Sequence, residues 1–349
     1  MILMSKRILA AACAAATALA LSACSPSAST GGKTSKDGTL TVMASFYPLK
    51  YLAEKVGGEH VTVTSLTPDG AEPHDLELSP KMVDSLASAD AVVYLAGFQG
   101  AVDEAVEQHA PKTVIDVSPA AQLVAIDSTS NHPGEDEGTD EAQSGEAQSG
   151  ETADHDHEGH EHEGHDHEHA DHDHHHDMSM DPHFWLDPAR MANAATLVGD
   201  KLAEADPTNA ETYKANAQAL NEELTSLGDN LVAKTSTCQI KTFVTAHTAF
   251  GYLADRTGLT QVGISGLDPE SSPSPARLAE IGKIVKDQGV TTIFTEALID
   301  PKVEQTLATD LGISTAVLDP IESQTDSSKD YAAVMNDNID ALTKANNCQ

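Results

Sequence analysis

The chain of 349 residues is short of positive charge: 20 Lys and Arg stand against 55 Asp and Glu, a formal net charge of −35. So acidic a surface repels polyanions, which excludes nucleic acid as a partner and favours cations. Long apolar runs are scarce as well. The run near the start, Ile8 to Leu21, has 14 residues, too short to cross a bilayer comfortably. No HExxH and no GxSxG occurs, so the helical base of a zinc hydrolase and the nucleophile elbow of a serine hydrolase are both missing. No other feature points to catalysis, and a non-enzymatic protein is expected.

Cysteine is rare too, with four in the chain. Cys13 lies inside the early apolar run. Lys6 and Arg7 precede that run and Leu21-Ser22-Ala23-Cys24 follows it, the layout of a signal peptide (1–23) ending in a sequence that resembles the bacterial lipobox. Either Met1 or Met4 can serve as the start. Cys24 is then the lipidated residue, and the Ser/Gly/Thr-rich stretch 24–38 is a flexible tether on the outer face of the cell membrane. Cys238 and Cys348 remain, an even pair in an oxidising compartment, and a disulfide between them is expected.

What the chain has in excess is histidine beside carboxylate. Between Asp127 and Asp181 there are 19 acids and no Lys or Arg. Within this segment the 22 residues from His155 to His176 contain eleven histidines: His155, His157, His160, His162, His165, His167, His169, His172, His174, His175 and His176. With no apolar periodicity there is no core to fold around, so 127–180 reads as a disordered insertion carrying many weak, interchangeable auxiliary metal sites.

Outside it, β-rich runs alternate with amphipathic helical ones. Strands are expected at 39–45, 60–66, 90–96, 113–118, 239–247, 260–265, 291–296 and 313–319, with helices between them. That alternation predicts an α/β fold of two lobes with parallel sheets covered by helices. The first lobe takes 39–126 plus 181–205 and the second 235–349. Between them, 206–234 reads as one long rigid helix, because Tyr213, Ala217, Leu220, Leu224, Leu227 and Leu231 form a single apolar stripe. Asp187-Pro188 and Asp206-Pro207 both look like an N-cap followed by proline at the first helical position. A monomer is expected; a coiled-coil dimer is the rival reading of the stripe.

Ligands of such sheets gather at the carboxyl ends of the strands. Three histidines stand there: His74 in a Gly/Pro-rich loop after the second strand, His183 in DPHFWLDP, and His247 closing TFVTAH. Three imidazoles with one oxygen make a tetrahedral zinc site in the cleft between the lobes. For the fourth position Asp319 in AVLDPIE is favoured, with Glu296 in IFTEALIDP or a water as rivals; Asp75 can orient an imidazole from behind.

The stretches GAEPHDLELSP, DPHFWLDP, FVTAHTAFGYLADRTGL, GLDPESSPSPARLAEI and IFTEALIDPKVEQTLA resemble, in order over roughly 39–345, motifs of the metal-binding solute-binding proteins of ABC importers. The resemblance is to zinc-uptake lipoproteins of the ZnuA type. It implies Zn²⁺ as transported ligand, held by His74, His183 and His247, and delivery to an ABC permease with its ATPase in the membrane. One departure stands out: some members place Glu just before the first histidine, where this chain has Pro73, with Glu72 one residue further away. Three histidines favour zinc over manganese, whose relatives resemble a site of two histidines and two carboxylates; copper(II) and nickel also suit imidazole. Import of manganese or another divalent metal, a surface adhesin and a passive metal buffer are the alternatives. The histidine-rich segment would then collect zinc for the cleft, sense its abundance, or merely act as a spacer.

Overall fold

The computed structural model describes residues 38–109, 111–126, 131–132 and 179–349. The leader, Cys24, the tether up to Asp37 and the histidine tract lie outside the described residues, together with the expectations attached to them.

All eight expected strands form. The first half runs β1 (Leu40–Ala44), α1 (Tyr47–Gly57), β2 (Val61–Ser65), α2 (Pro80–Ser88), β3 (Ala91–Tyr94), α3 (Gly100–His109), β4 (Thr113–Asp116) and the single turn α4 (Ser118–Ala121). Beyond the undescribed stretch come α5 (Pro188–Ala205) and α6 (Ala210–Thr235). The second half runs β5 (Thr242–Thr245), α7 (Gly251–Thr257), β6 (Thr260–Gly263), α8 (Pro275–Gln288), β7 (Thr292–Thr295), α9 (Lys302–Leu311), β8 (Ser314–Val317) and α10 (Tyr331–Ala345).

Each half builds a four-stranded parallel sheet of the same order, β2-β1-β3-β4 in the first and β6-β5-β7-β8 in the second. A parallel strand covered on both faces must be apolar on both, and the central strand β5, Thr-Phe-Val-Thr, is buried throughout. The edge strand β2 instead alternates, with Thr62 and Thr64 exposed.

Three apolar clusters account for the packing. One lies outside the first sheet, where Val92, Leu66 and Met43 meet Leu86 of α2 and Val102 of α3. A second lies outside the other sheet, where Val244 and Ile293 meet Ile281 of α8 and Ala308 of α9. The third and largest is shared: it runs from Val42 and Val93 through α1, α5 and α6 to Phe243, Phe294 and Met335. The stripe on α6 (Tyr213, Ala217, Leu220, Leu224, Leu227, Leu231) is buried in it along its whole length. At about 1.5–3 kcal/mol per fully buried large apolar side chain, this continuous core opposes any hinge opening between the halves. No helix among the described residues is long and apolar enough to cross a membrane.

Asp187 caps α5 as expected, its side chain accepting from Ala189 N. Asp206 does not cap α6. It closes α5 instead, and its carboxylate gathers Thr208 N, Asn209 Nδ2 and the Tyr213 hydroxyl, so the long helix starts three residues later than the Asp-Pro pair suggested. The expected disulfide between Cys238 and Cys348 is present and closes 110 residues of chain. One part of the insertion differs from expectation. Asn131 and His132 are not free loop: Asn131 bonds Asp255, Leu259 O and Gln261 N, and His132 is buried.

Candidate metal centre

The side chains of the centre lie in loops that follow the carboxyl ends of strands or, for His183, just before a short helical turn, so the two sheets aim their loops at one point. His247 follows β5 by two residues, held because Thr245 Oγ1 donates to the His247 carbonyl. His74 lies in the loop after β2. There Glu72 Oε2 accepts from His74 N at 2.8 Å, Gln99 Nε2 donates to Pro73 O, and the Phe98 ring meets the imidazole edge to face at 4.9 Å. His183 stands before a short 3-10 turn that leads into α5.

The three rings converge, with centroids 5.2–6.0 Å apart. The carboxylate among them is Glu322, which neither strand-end position nor spacing had marked. Its Oε1 lies 3.4 Å from Nε2 of His74, His183 and His247 alike. All four donor atoms fall within 4.8 Å of one another. A tetrahedral zinc with bonds of about 2.0–2.1 Å requires ligand–ligand edges of about 3.3–3.4 Å. The three edges at Glu322 already have that length. Nε2 of His183 and of His247 are buried and make no hydrogen bond, since the approach of Glu322 has the distance but not the direction of one. Buried polar atoms without partners call for an explanation, and their convergence with His74 and Glu322 gives one, a place where a metal ion fits.

Asp319 and Glu296, the carboxylates favoured from the sequence, do other work. Asp319 Oδ1 turns back to accept from Ile321 N, and its backbone is clamped by both ends of the Asn338 amide. Burial above all, with Glu322 and Glu296 adding to it, pushes its carboxyl up to about 6. Glu296 Oε1 accepts from His247 Nδ1 at 2.7 Å and from His247 N at 3.2 Å, behind the ring rather than in front of it. Between Asp319 and Glu322 the chain passes through Ile321 with φ of +57°. A β-branched residue in the left-handed region costs about 1–3 kcal/mol. Trp185 Nε1 donating to Pro320 O and the full burial of Ile321 hold it there, and the result is that Glu322 points inward.

Asp181 does for His183 what Glu296 does for His247. Its Oδ1 accepts from His183 Nδ1 at 2.8 Å and from His183 N at 2.9 Å. Asp75, the residue first considered for that task, has its backbone N–H on Glu72 and its side chain exposed.

The electrostatics follow from burial and pairing. Burial favours neutral imidazoles, and at His74 it wins over the attraction of Glu322, so the pKa is lowered. At His247 burial is outweighed by Glu296 and Glu322, which raise it well above the ordinary value. At His183 burial is outweighed by Asp181. Burial opposes the charge on Glu322, but the three imidazoles gathered around it hold its carboxyl well below the usual range. Glu72 is pushed up to about 7, first by burial and then by Glu322. The centre is therefore a buried set of three soft-to-borderline nitrogens and one anionic oxygen, with two further carboxylates fixing imidazole tautomers from behind. That is a donor set for a borderline divalent ion in tetrahedral geometry.

Two parallel α/β lobes on a shared core, with a donor cluster where their strand ends meet, define a two-lobed solute-binding protein. The profile of the family described as zinc-uptake complex component A, periplasmic (ZnuA), matches residues 42–345. The chain belongs to this family. It is 33% identical over 311 residues to the zinc-binding protein AdcA of Streptococcus pyogenes serotype M3, an alignment that covers 88% of this chain and 56% of that protein. The chain thus spans little more than half the length of such curated relatives. It is 31% identical over 337 residues to the high-affinity zinc uptake system protein ZnuA of Bacillus subtilis, covering 94% of each. Among solved structures, Zn(II)-bound AdcA from Streptococcus pneumoniae superposes with a TM-score of 0.66 at 28% identity, over 89% of this chain and 59% of that one.

Proposed function

We propose that this protein captures Zn²⁺ outside the cytoplasm and passes it to an ABC permease driven by its ATPase. Its metal ligands would be His74, His183, His247 and Glu322. One observation carries the reading: three imidazole Nε2 atoms at tetrahedral-edge distance from a single carboxylate oxygen, two of them buried and without a hydrogen bond. Three nitrogens favour zinc over manganese. Family membership, and relatives named for zinc binding and zinc uptake, support the same assignment. Lipidation at Cys24, a monomeric state and a zinc-collecting role for the histidine-rich segment complete the proposal.

Capture rather than catalysis fits the geometry, because the fourth position is filled by Glu322, whereas a hydrolytic zinc site keeps it open for water. Elemental analysis tests the assignment. Protein purified after zinc exposure should carry one tightly held zinc that a His74/His183/His247 triple alanine variant lacks, both compared without residues 133–178, so that Asn131 and His132 are kept. Equal zinc in the two would overturn it. Growth of a deletion strain on chelator-treated medium separates import from an adhesin or a passive buffer, since only an importer's loss starves the cell of zinc.

A further inference from the structure

Behind His183 the hydrogen bonding does not end at Asp181. The second carboxylate oxygen of Asp181 accepts from His132 Nδ1 at 2.6 Å, and His132 Nε2 donates to Asp255 Oδ2 at 2.8 Å. Asp181 and His132 are both buried, and Asp255 lies on α7 in the other half of the molecule. A four-residue chain, Asp255–His132–Asp181–His183, therefore runs from a helix of the second half to a ligand contributed by the first.

The seat for His132 is shaped for it. Gly251 begins α7, and a Cβ there would stand 2.6 Å from Asn131 O and 2.7 Å from His132 Nδ1, a contact no side chain tolerates. The next residue, Tyr252, meets the His132 ring edge to face at 4.7 Å, and its hydroxyl donates to Asp181 O at 2.7 Å. The start of α7 thus grips the Asp181 backbone directly and its carboxylate through His132.

Resting on the zinc-capture reading above, we infer that His132 is a positioning residue of the metal centre, fixing the Asp181 carboxylate so that His183 presents Nε2 to the ion. A carboxylate with one oxygen on His183 and the other unheld can rotate about its χ2 bond, and the imidazole it orients rotates with it. With both oxygens taken, one orientation survives. Partners of this kind behind a ligand change metal affinity about 10–100-fold when removed.

Two substitutions separate positioning from filling space. His132→Asn places an amide N–H where Nδ1 stands and keeps the bond to Asp181; His132→Gln places it where Nε2 stands, keeping Asp255 and losing Asp181. The experiment measures, in the full-length chain, affinity for the first zinc equivalent by chelator competition. The visible spectrum of the first cobalt(II) equivalent and the unfolding temperature of the metal-free protein accompany it. H132Q should bind zinc about 10–100-fold more weakly with an altered cobalt spectrum, while H132N stays close to the parent in both. Parental affinity in H132Q, or equal losses in the two variants, overturns the inference. If H132Q does not fold, the imidazole ¹⁵N–¹H spectrum of the parent decides: a His132 Nδ1 proton that shifts on zinc addition supports positioning, and one indifferent to zinc overturns it. His74→Ala serves as the reference. If it too leaves zinc binding intact, the capture reading itself fails; if it alone weakens binding, only the role of His132 fails.

Discussion

The two halves have one strand order but hold their ligands differently. In the second half, His247 comes two residues after β5 and is backed by Glu296, itself at the tip of β7, so ligand and support both stand on strand ends. In the first half, His74 sits nine residues past β2 and His183 lies beyond the long insertion. Neither position is rigid by itself. Each is braced from outside: His74 by Glu72, Gln99 and Phe98, and His183 by Asp181. The same sheet frame thus supports a centre whose two sides owe their precision to different causes, strand geometry on one side and side-chain bracing on the other.

The largest expected effect breaks the centre from its better-built side. His247→Ala removes a ligand and leaves Glu296 buried without its partner; zinc affinity, measured by chelator competition, should fall by well over the roughly 100-fold seen when an outer partner is lost. Next comes the covalent difference between the halves, since Cys238–Cys348 staples only the second. Replacing both cysteines by serine should lower stability by about 3–4 kcal/mol in chemical denaturation, given the long closed loop. Zinc affinity should remain, because Cys238 precedes the amino end of β5 whereas His247 follows its carboxyl end.

Smaller in effect, Glu296→Gln and Asp181→Asn compare the two kinds of support. Each should weaken zinc binding about 10–100-fold, with the larger loss at Asp181, because His247 also stands on a strand end whereas His183 does not; the backbone N–H of each histidine donates to its carboxylate, so that bond does not separate the two. A larger loss at Glu296 would reverse the contrast between the halves.

The smallest effect is on pH. Metal must displace protons from imidazole, and His247 in the metal-free protein has its pKa raised well above 6.5, with burial outweighed by Glu296 and Glu322. Its proton therefore competes with zinc already at neutral pH. Apparent affinity should decline as pH falls through the neutral range, by up to roughly tenfold per unit for each proton displaced, and more gently in His247→Ala. A flat profile between pH 6 and 8 in the parent would contradict the proton competition at that ring.

Much of this was legible in the residues. The alternation of β-rich runs with amphipathic stretches located all eight strands, and the apolar stripe located α6 to within a few residues. The three histidines could be chosen because strand-end loops are where such sheets gather ligands. Asp319 was preferred, with Glu296 or a water as rivals, for a sound local reason, its place two residues past β8, and Glu322 went unmarked because two local facts were invisible. The Asp319 carboxylate is consumed by Ile321 N, and Ile321 adopts a left-handed conformation that no β-branched residue advertises. His132 was hidden differently: its neighbours are polar and acidic, and its partners, Asp181 and Asp255, lie 49 and 123 residues away.

Periodicity, composition and residue type are properties of neighbours along the chain, so the sequence alone determined two α/β halves, a bridging helix, a disulfide pair and three imidazoles in strand-end loops. Which carboxylate faces the three Nε2 atoms, and which hold the imidazoles from behind, was decided only when the shared core brought the two sets of strand ends together. A carboxylate's role depends on the direction in which its oxygens point, and that direction is set by contacts between residues far apart in the chain.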